Sequence, residues 1–96
     1  MANTGTDKPM NVAIGELQLH HDLSGHLVAK VECQLTAPSL CSVLLLDRLG
    51  RVRLEERRAF GAGISWLKLH LPKLEAGHYH AWIDLGGKTF VRPLHI

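Results

Sequence analysis

Residues 26–37 read HLVAKVECQLTA, and apolar side chains recur there at every second position. The apolar series runs from Leu27 to Leu35, and polar or charged side chains fill most of the positions between. Successive side chains of a β-strand point to opposite faces, so this pattern predicts a strand with one buried and one exposed face. The buried face also fixes the pairing register, because a slip by one residue would turn it toward water.

Similar strand signals recur along the chain with turn residues between them, and helix signals are almost absent. Regular short strands of this kind predict an all-β sandwich or barrel. We expect seven strands, at Asn11–His21, His26–Ala37, Leu40–Asp47, Arg51–Arg58, Ile64–Leu71, His78–Leu85 and Lys88–His95. The rival interpretation concerns RVRLEERRAF, residues 51–60, whose glutamates and arginines are good helix formers.

Length and composition limit the chain to a single domain. Ninety-six residues suffice for one core, so we expect a flexible tail over residues 1–10 and a sandwich domain over residues 11–96. The net charge of +2 does not indicate nucleic acid or an acidic membrane as partner. Two cysteines without a CxxC motif predict free thiols. The N-terminus, MANTGTDKPM, lacks the pattern of a secretory signal, which gives a cytoplasmic location by default.

A turn motif near the C-terminus makes the fold prediction more specific. Residues 74–79 read LEAGHY, and this stretch resembles the turn that enters strand F of immunoglobulin-like and fibronectin-like domains. The resemblance implies a tyrosine corner, in which Tyr79 packs inward, its hydroxyl bonds the backbone upstream and Gly77 permits the tight bend. We therefore expect a single seven-stranded antiparallel immunoglobulin-like β-sandwich. Ala81 stands where antibody domains have a cysteine, so the resemblance is to the broad superfamily.

A second resemblance rests on two turn motifs. DRLGRV, residues 47–52, and the later LPKLEAGHYHAWI are similar to the pattern of small C-terminal sandwich domains of bacterial secreted proteins, such as type IX secretion sorting domains. The resemblance spans roughly residues 31–96. It implies the same sandwich fold, while almost nothing of the function is carried over.

The outer face of the last hairpin carries the candidate metal site. Gly86-Gly87 suits a two-residue turn, and the register that follows places one face of the hairpin inside with Tyr79. The opposite face then carries His78, His80, Trp82, Val91, Pro93 and His95. Two histidines at i and i+2 with a third on the neighbouring strand are an arrangement that β-sheet zinc enzymes use, so His78, His80 and His95 are candidate zinc ligands. Solvent-facing histidines without a metal are the simpler interpretation.

The apolar neighbours of these histidines predict an interface. The strand at Leu40–Asp47 is apolar on both faces, so either Leu44 and Leu46 or the alternate set of Cys41, Val43 and Leu45 must face outward. With Trp82, Val91 and Pro93, the predicted interface set is Leu44, Leu46, Trp82, Val91 and Pro93. Monomers seldom leave such a patch in water. A homodimer would cover it, as would the N-terminal segment folded back over the face.

The remaining motifs favour a binding role over catalysis. Five arginines lie between residues 48 and 58, but interspersed acids indicate protection of a sheet edge rather than a nucleic-acid stripe. Trp66 is expected on the other sheet from Trp82, which disfavours a two-aromatic carbohydrate platform. No nucleophile motif is present. The sequence thus predicts a non-enzymatic assembly module that binds itself or another protein, with metal binding and small-ligand or carbohydrate binding as alternatives.

Overall fold

The computed structural model describes residues 11–96, and these form an all-β fold, as the sequence predicts. The predicted tail at residues 1–10 lies outside the described residues. Within residues 11–96 no helix is long and apolar enough to cross a membrane. The strands are β1 (Val12–Ile14), β2 (Gln18–His21), β3 (Leu27–Leu35), β4 (Ser39–Leu46), β5 (Val52–Phe60), β6 (Gly63–His70), β7 (His78–Leu85) and β8 (Lys88–His95).

The strands form two antiparallel sheets that share one core. In the first sheet β3 is central, with β6 along one edge and both β1 and β2 along the other. The second sheet has the order β5-β4-β7-β8. Alternate residues of both sheets meet in a buried apolar cluster, whose largest fully buried side chains are Leu45, Leu67, Leu69, Ile83 and Leu85. The alternation in β3 therefore marks the buried face, as predicted.

The described residues contain eight strands, where the sequence predicted seven. The difference lies in the first predicted strand, Asn11–His21, which is broken into β1 and β2. Ile14 pairs with Cys33 and Gln18 with Lys30, so the N-terminal strand has one more residue than its partner across the break. This extra residue acts as a bulge and changes which alternate positions face inward. The two apolar pairs on either side of the break, Val12/Ile14 and Leu17/Leu19, can then all pack against the core.

The arginine-rich segment forms a strand, β5, and no helix. Its pairing with β4 is irregular, because Leu54 opposes Leu45 whereas Val52 opposes Leu46. Arg53 is the additional residue of this bulge. Regular alternation would place Val52 and Leu54 on one face, but the bulge separates them: Leu54 packs against the core, and Val52 is 54% exposed on the opposite face.

Both cysteines are free, as predicted from the sequence, and both are buried. Cys33 lies on β3 and Cys41 on β4, and both side chains belong to the shared core. Burial raises the pKa of the Cys41 thiol to about 11. A buried thiol of this kind behaves as a small apolar side chain.

Two hairpin loops in the structure share one design. In each, an aspartate accepts hydrogen bonds from the backbone N–H groups two and four residues later, and a glycine with positive φ follows three residues after it. Asp22 begins the loop between β2 and β3, and Asp47 begins the loop between β4 and β5. The shared geometry is a turn followed by a left-handed residue, for which glycine is suited.

The two aspartates differ in their ionic partners. Asp47 Oδ2 lies 2.7 Å from Arg51 Nε and 3.5 Å from Arg53 Nη1. Asp22 has the His26 ring as its ionisable neighbour, with 3.9 Å between Asp22 Oδ2 and His26 Nδ1. Burial would raise the pKa of Asp47, but the hydrogen bonds from Arg51 and Leu49 and the charge of Arg51 outweigh it and hold the pKa at about 2.

We expect Asp47→Asn to lower the thermal midpoint more than Asp22→Asn does. Both variants keep a turn-forming side chain, but the first also removes the charge that pairs with Arg51 and Arg53. Because the pKa of Asp47 is lower in the folded chain than its ordinary 3.8, its contribution is complete above about pH 4 and is lost as the pH falls through 2. Thermal unfolding at pH 7 and at pH 2 measures this. The difference between the two variants should be clear at pH 7 and small at pH 2, and equal losses at both pH values would contradict the assignment.

Candidate interaction surface

The outward face of β4 carries three leucines, Leu40 near the start of the strand, where it is 74% exposed, and Leu44 and Leu46 near its end. Cys41, Val43 and Leu45 are fully buried in the core, so the alternate residues Leu44 and Leu46 face away from it and are half-buried. The sequence left both phases of this strand possible. The pairing of Leu45 with Ala81 on β7 shows which phase is present, since both residues lie in the core.

Apolar residues on β7 and β8 extend this surface across the sheet. The strand registers place it in two adjacent rows, Leu44–Trp82–Val91 and Leu46–His80–Pro93. Trp82 is 44% exposed and Val91 is 41% exposed. The hairpin register predicted from the Gly86-Gly87 turn is confirmed over its whole length, from Leu85↔Lys88 to His78↔His95.

Val52 adds a further apolar side chain to the surface from β5. It lies opposite Leu46, at the end of the second row, because of the bulge between β4 and β5. The sequence pattern missed it, since a bulge in a paired strand leaves no clear sign in the alternation of either strand. We call the set Leu44, Leu46, Val52, Trp82, Val91 and Pro93 the outer patch.

The outer face of the other sheet is different in character. Trp66 on β6 is also 44% exposed, but the Lys30 amino group lies 5.0 Å from its ring centroid and Glu32 is its partner on β3. On this face of β6, Trp66 is preceded by Ile64, which is 62% exposed, and followed by Lys68 and His70. Trp66 and Trp82 thus lie on different sheets, as predicted, and have mostly charged and mostly apolar surroundings respectively.

Ionisable groups flank the outer patch at its two ends along the strands. At one end the rings of His78 and His95 are stacked, with centroids 4.3 Å apart and planes 12° from parallel. At the other end the Asp84 carboxylate accepts a hydrogen bond from the Thr89 hydroxyl. The patch therefore has imidazoles at one end and a carboxylate at the other.

The stacked rings do not have the geometry of a metal site. A metal binds imidazole nitrogen in the plane of the ring, and two nearly parallel planes about 4 Å apart do not meet at a common point near both rings. His80, the third candidate ligand, lies in the apolar row between Leu46 and Pro93. Among residues 11–96 no group of three or more His, Cys, Asp or Glu side chains is arranged to hold a metal ion. Nothing in this geometry favours the zinc site considered from the sequence.

Several arginines have structural partners. Arg51 and Arg53 pair with Asp47. Arg58 on β5 pairs with Glu56 and donates to the Lys68 carbonyl oxygen in the opposite sheet, 3.2 Å away. These contacts are consistent with charged residues that protect an edge strand and close the open side of the fold.

A similar contact closes the other open side. Arg92 on β8 donates to the carbonyl oxygens of Ile14 and Gly15, at 3.2 and 3.0 Å, where β1 and β2 separate. Each edge strand of the second sheet therefore has an arginine that reaches the first sheet. Together these contacts give Arg51, Arg53, Arg58 and Arg92 partners within the chain.

Tyr79 fixes the start of β7 and so the phase of the whole surface. Its hydroxyl donates to the Glu75 carbonyl oxygen at 2.6 Å, and its ring is buried in the core. Gly77 has a φ of +153° and forms a reciprocal pair of backbone hydrogen bonds with Ile96, both 2.9 Å. With Tyr79 held inward, His80 and Trp82 must face outward. The loop that carries Asp47 and the turn at Glu75 border a shallow cleft of about 210 Å³ beside this corner.

Comparison with known proteins adds no assignment. The chain matches no protein-family model and no curated protein sequence. The evidence on function is therefore the composition and geometry of the surface described above.

Proposed function

We propose that this chain is a non-enzymatic assembly module that associates with a second copy of itself through the outer patch. The observation that carries the proposal is the contrast between the two sheets. Two tryptophans are equally exposed, yet Trp66 has charged neighbours, and Trp82 lies among apolar side chains that extend across all four strands. Burial of apolar surface is worth about 25 cal/mol per Å², so the apolar face gains most from a partner.

The fold that we propose for this module is an immunoglobulin-like sandwich of the fibronectin-like kind. Support comes from the division of the strands into one sheet centred on β3 and another of order β5-β4-β7-β8. The hydrogen bond of Tyr79 to Glu75 at the entry to β7 supports it as well. The Asp47 turn and this corner also support the resemblance to small C-terminal sandwich domains of bacterial secreted proteins, as a proposal about fold only.

The size of the face sets the expected affinity. Four strands of eight residues cover about 19 Å by 27 Å, or about 500 Å². Stable complexes of standard size bury about 800 Å² of accessible surface on each partner. We therefore expect a weak, reversible dimer, with a dissociation constant of about 10 to 100 μM.

A second copy fits this surface better than an unrelated partner because the face complements itself. It has imidazoles at one end, a carboxylate at the other and apolar side chains between. When two copies lie face to face with their strands in opposite directions, the apolar parts meet and the imidazoles of each copy lie near the carboxylate of the other. A fold-back of residues 1–10 over the patch is the competing arrangement. It would leave the chain monomeric at all concentrations.

A dilution series followed by NMR tests the proposal, with the two indole N–H signals as reporters. In the proposed dimer Trp82 lies in the interface and Trp66 on the opposite face of the molecule. The Trp82 signal should shift with protein concentration, while the Trp66 signal should not.

A further inference from the structure

The side chains on the outer face are arranged so that one half of the face resembles the other half after a twofold rotation. Leu45, Ala81 and Arg92 are paired with one another across β4, β7 and β8, and so form one row of inward residues. On either side of this row the outward residues of β4, β7 and β8 match in kind, whereas on β5 they are Val52 and Glu55. On β4 they are two leucines, Leu44 and Leu46.

The match continues on the other two strands. On β8 the residues next to the central row are Val91 and Pro93, both apolar and exposed. On β7 they are His80 and Trp82, which both have ring side chains. Further from the central row along the same face of this strand lie His78 at one end and Asp84 at the other. A twofold axis that crosses the strands over the central row would therefore place the apolar residues of β4 and β8 on one another and Asp84 opposite His78, while on β5 it sets Glu55 beside Val52 of the second copy.

Other placements of the axis match the face less well. An axis over the row that contains Trp82 would set Glu55 of β5 against Glu55 of the second copy, because Glu55 and Trp82 are both paired with Leu44. An axis parallel to the strands would leave the stacked histidines and Asp84 at opposite ends of the dimer. The axis over the central row avoids the repulsion between like charges and pairs the two ends.

We propose, on the basis of the proposed function, that two copies associate face to face with their strands in opposite directions and with Asp84 of each copy against the His78/His95 pair of the other. The apolar rows supply the affinity in this arrangement. The two symmetric contacts between carboxylate and imidazole set the orientation and register of the partner.

A charge-exchange experiment tests the arrangement by sedimentation equilibrium at pH 7. His78→Glu places a carboxylate against Asp84 of the second copy, and Asp84→Lys places an amino group against the histidines. We expect each single variant to weaken the dimer by about tenfold, since each change acts at both symmetric contacts. The double variant H78E/D84K should return close to the dissociation constant of the unmodified chain. The mismatched double variant H78E/E55K is the control, because its lysine lies on the same face but away from the carboxylate introduced at position 78, and it should remain weak.

The outcomes separate this inference from the proposed function. The antiparallel arrangement is supported if the dissociation constant is restored in the matched double variant and not in the mismatched one. If the unmodified chain dimerises but the matched double variant stays as weak as the single variants, the arrangement is overturned and self-association stands. Equal restoration by the mismatched variant would indicate a general effect of net charge and would overturn it as well. A chain that stays monomeric contradicts the proposed function and, with it, this inference. Circular dichroism checks that each variant is folded.

Discussion

Trp82→Glu is expected to abolish self-association at micromolar concentrations. The indole is paired across the sheet with Leu44 and Val91, so it lies at the middle of the outer patch. Truncation of a tryptophan at the centre of an interface commonly costs at least about 2 kcal/mol, which corresponds to about a 30-fold weaker dimer. The glutamate adds a charge that the second copy would have to bury.

Trp66→Glu is the matched control for this variant. The two tryptophans have the same exposed fraction, 44%, and both lie on the outward face of a strand. Sedimentation equilibrium on both variants distinguishes the two faces. If both variants dimerise as the unmodified chain does, the contact lies elsewhere on the molecule, and if both lose the dimer, the effect does not belong to the outer patch.

Leu45→Ala is expected to produce the largest loss of stability among single core substitutions on β4. Leu45 is fully buried near the C-terminal end of the strand, where it opposes Leu54 on one side and Ala81 on the other. Removing a buried leucine side chain costs about 2 to 5 kcal/mol in the free energy of unfolding, from lost burial and from the cavity that remains. Urea unfolding followed by tryptophan fluorescence measures the change.

Leu44→Ala provides the comparison, since it alters the adjacent residue of the same type on the outward face. Its effect on the free energy of unfolding of the monomer should stay below about 1 kcal/mol. Its effect on the free energy of dimerisation should be larger than its effect on the free energy of unfolding. Equal destabilisation by the two variants would mean that β4 does not separate the core from the outer patch in the way that the structure describes.

The strands with clear alternation could be predicted from the sequence almost completely. In β3 the period of two leaves a single choice of buried face. In the β7–β8 hairpin the Gly86-Gly87 turn sets the register and the inward Tyr79 sets the phase, so the opposed residues follow by counting. Two local rules thus determine the position of every side chain on that half of the surface.

The bulges could not be predicted in the same way, because they depend on how two strands pair. The break between β1 and β2 has a faint sign in the sequence, where the apolar positions change phase between Ile14 and Leu17. The bulge opposite Leu45 and Leu46 has none, and it places Val52 in the outer patch while Leu54 faces the core. Pairing between strands, unlike periodicity, is a property of the whole fold.

Only part of the candidate site follows from the sequence. β4 is apolar on both faces, and so Leu44 and Leu46 become outward residues only through the partner strand β7. Counting along the hairpin places His78 opposite His95, but the orientation of the rings decides what the pair can do. The two rings are stacked nearly parallel, an arrangement that counting along the strands does not predict.

The central claim is that the chain associates with itself through the outer patch, and a dilution series observed by ¹H–¹⁵N NMR tests it most directly. The spectrum of the unmodified chain contains one indole N–H signal from Trp66 and one from Trp82, so a single sample reports on both faces. From about 10 μM to about 1 mM, a range that spans the expected dissociation constant, the Trp82 signal should move along a saturable curve while the Trp66 signal stays fixed. Two fixed signals, or a shift confined to Trp66, would contradict the account.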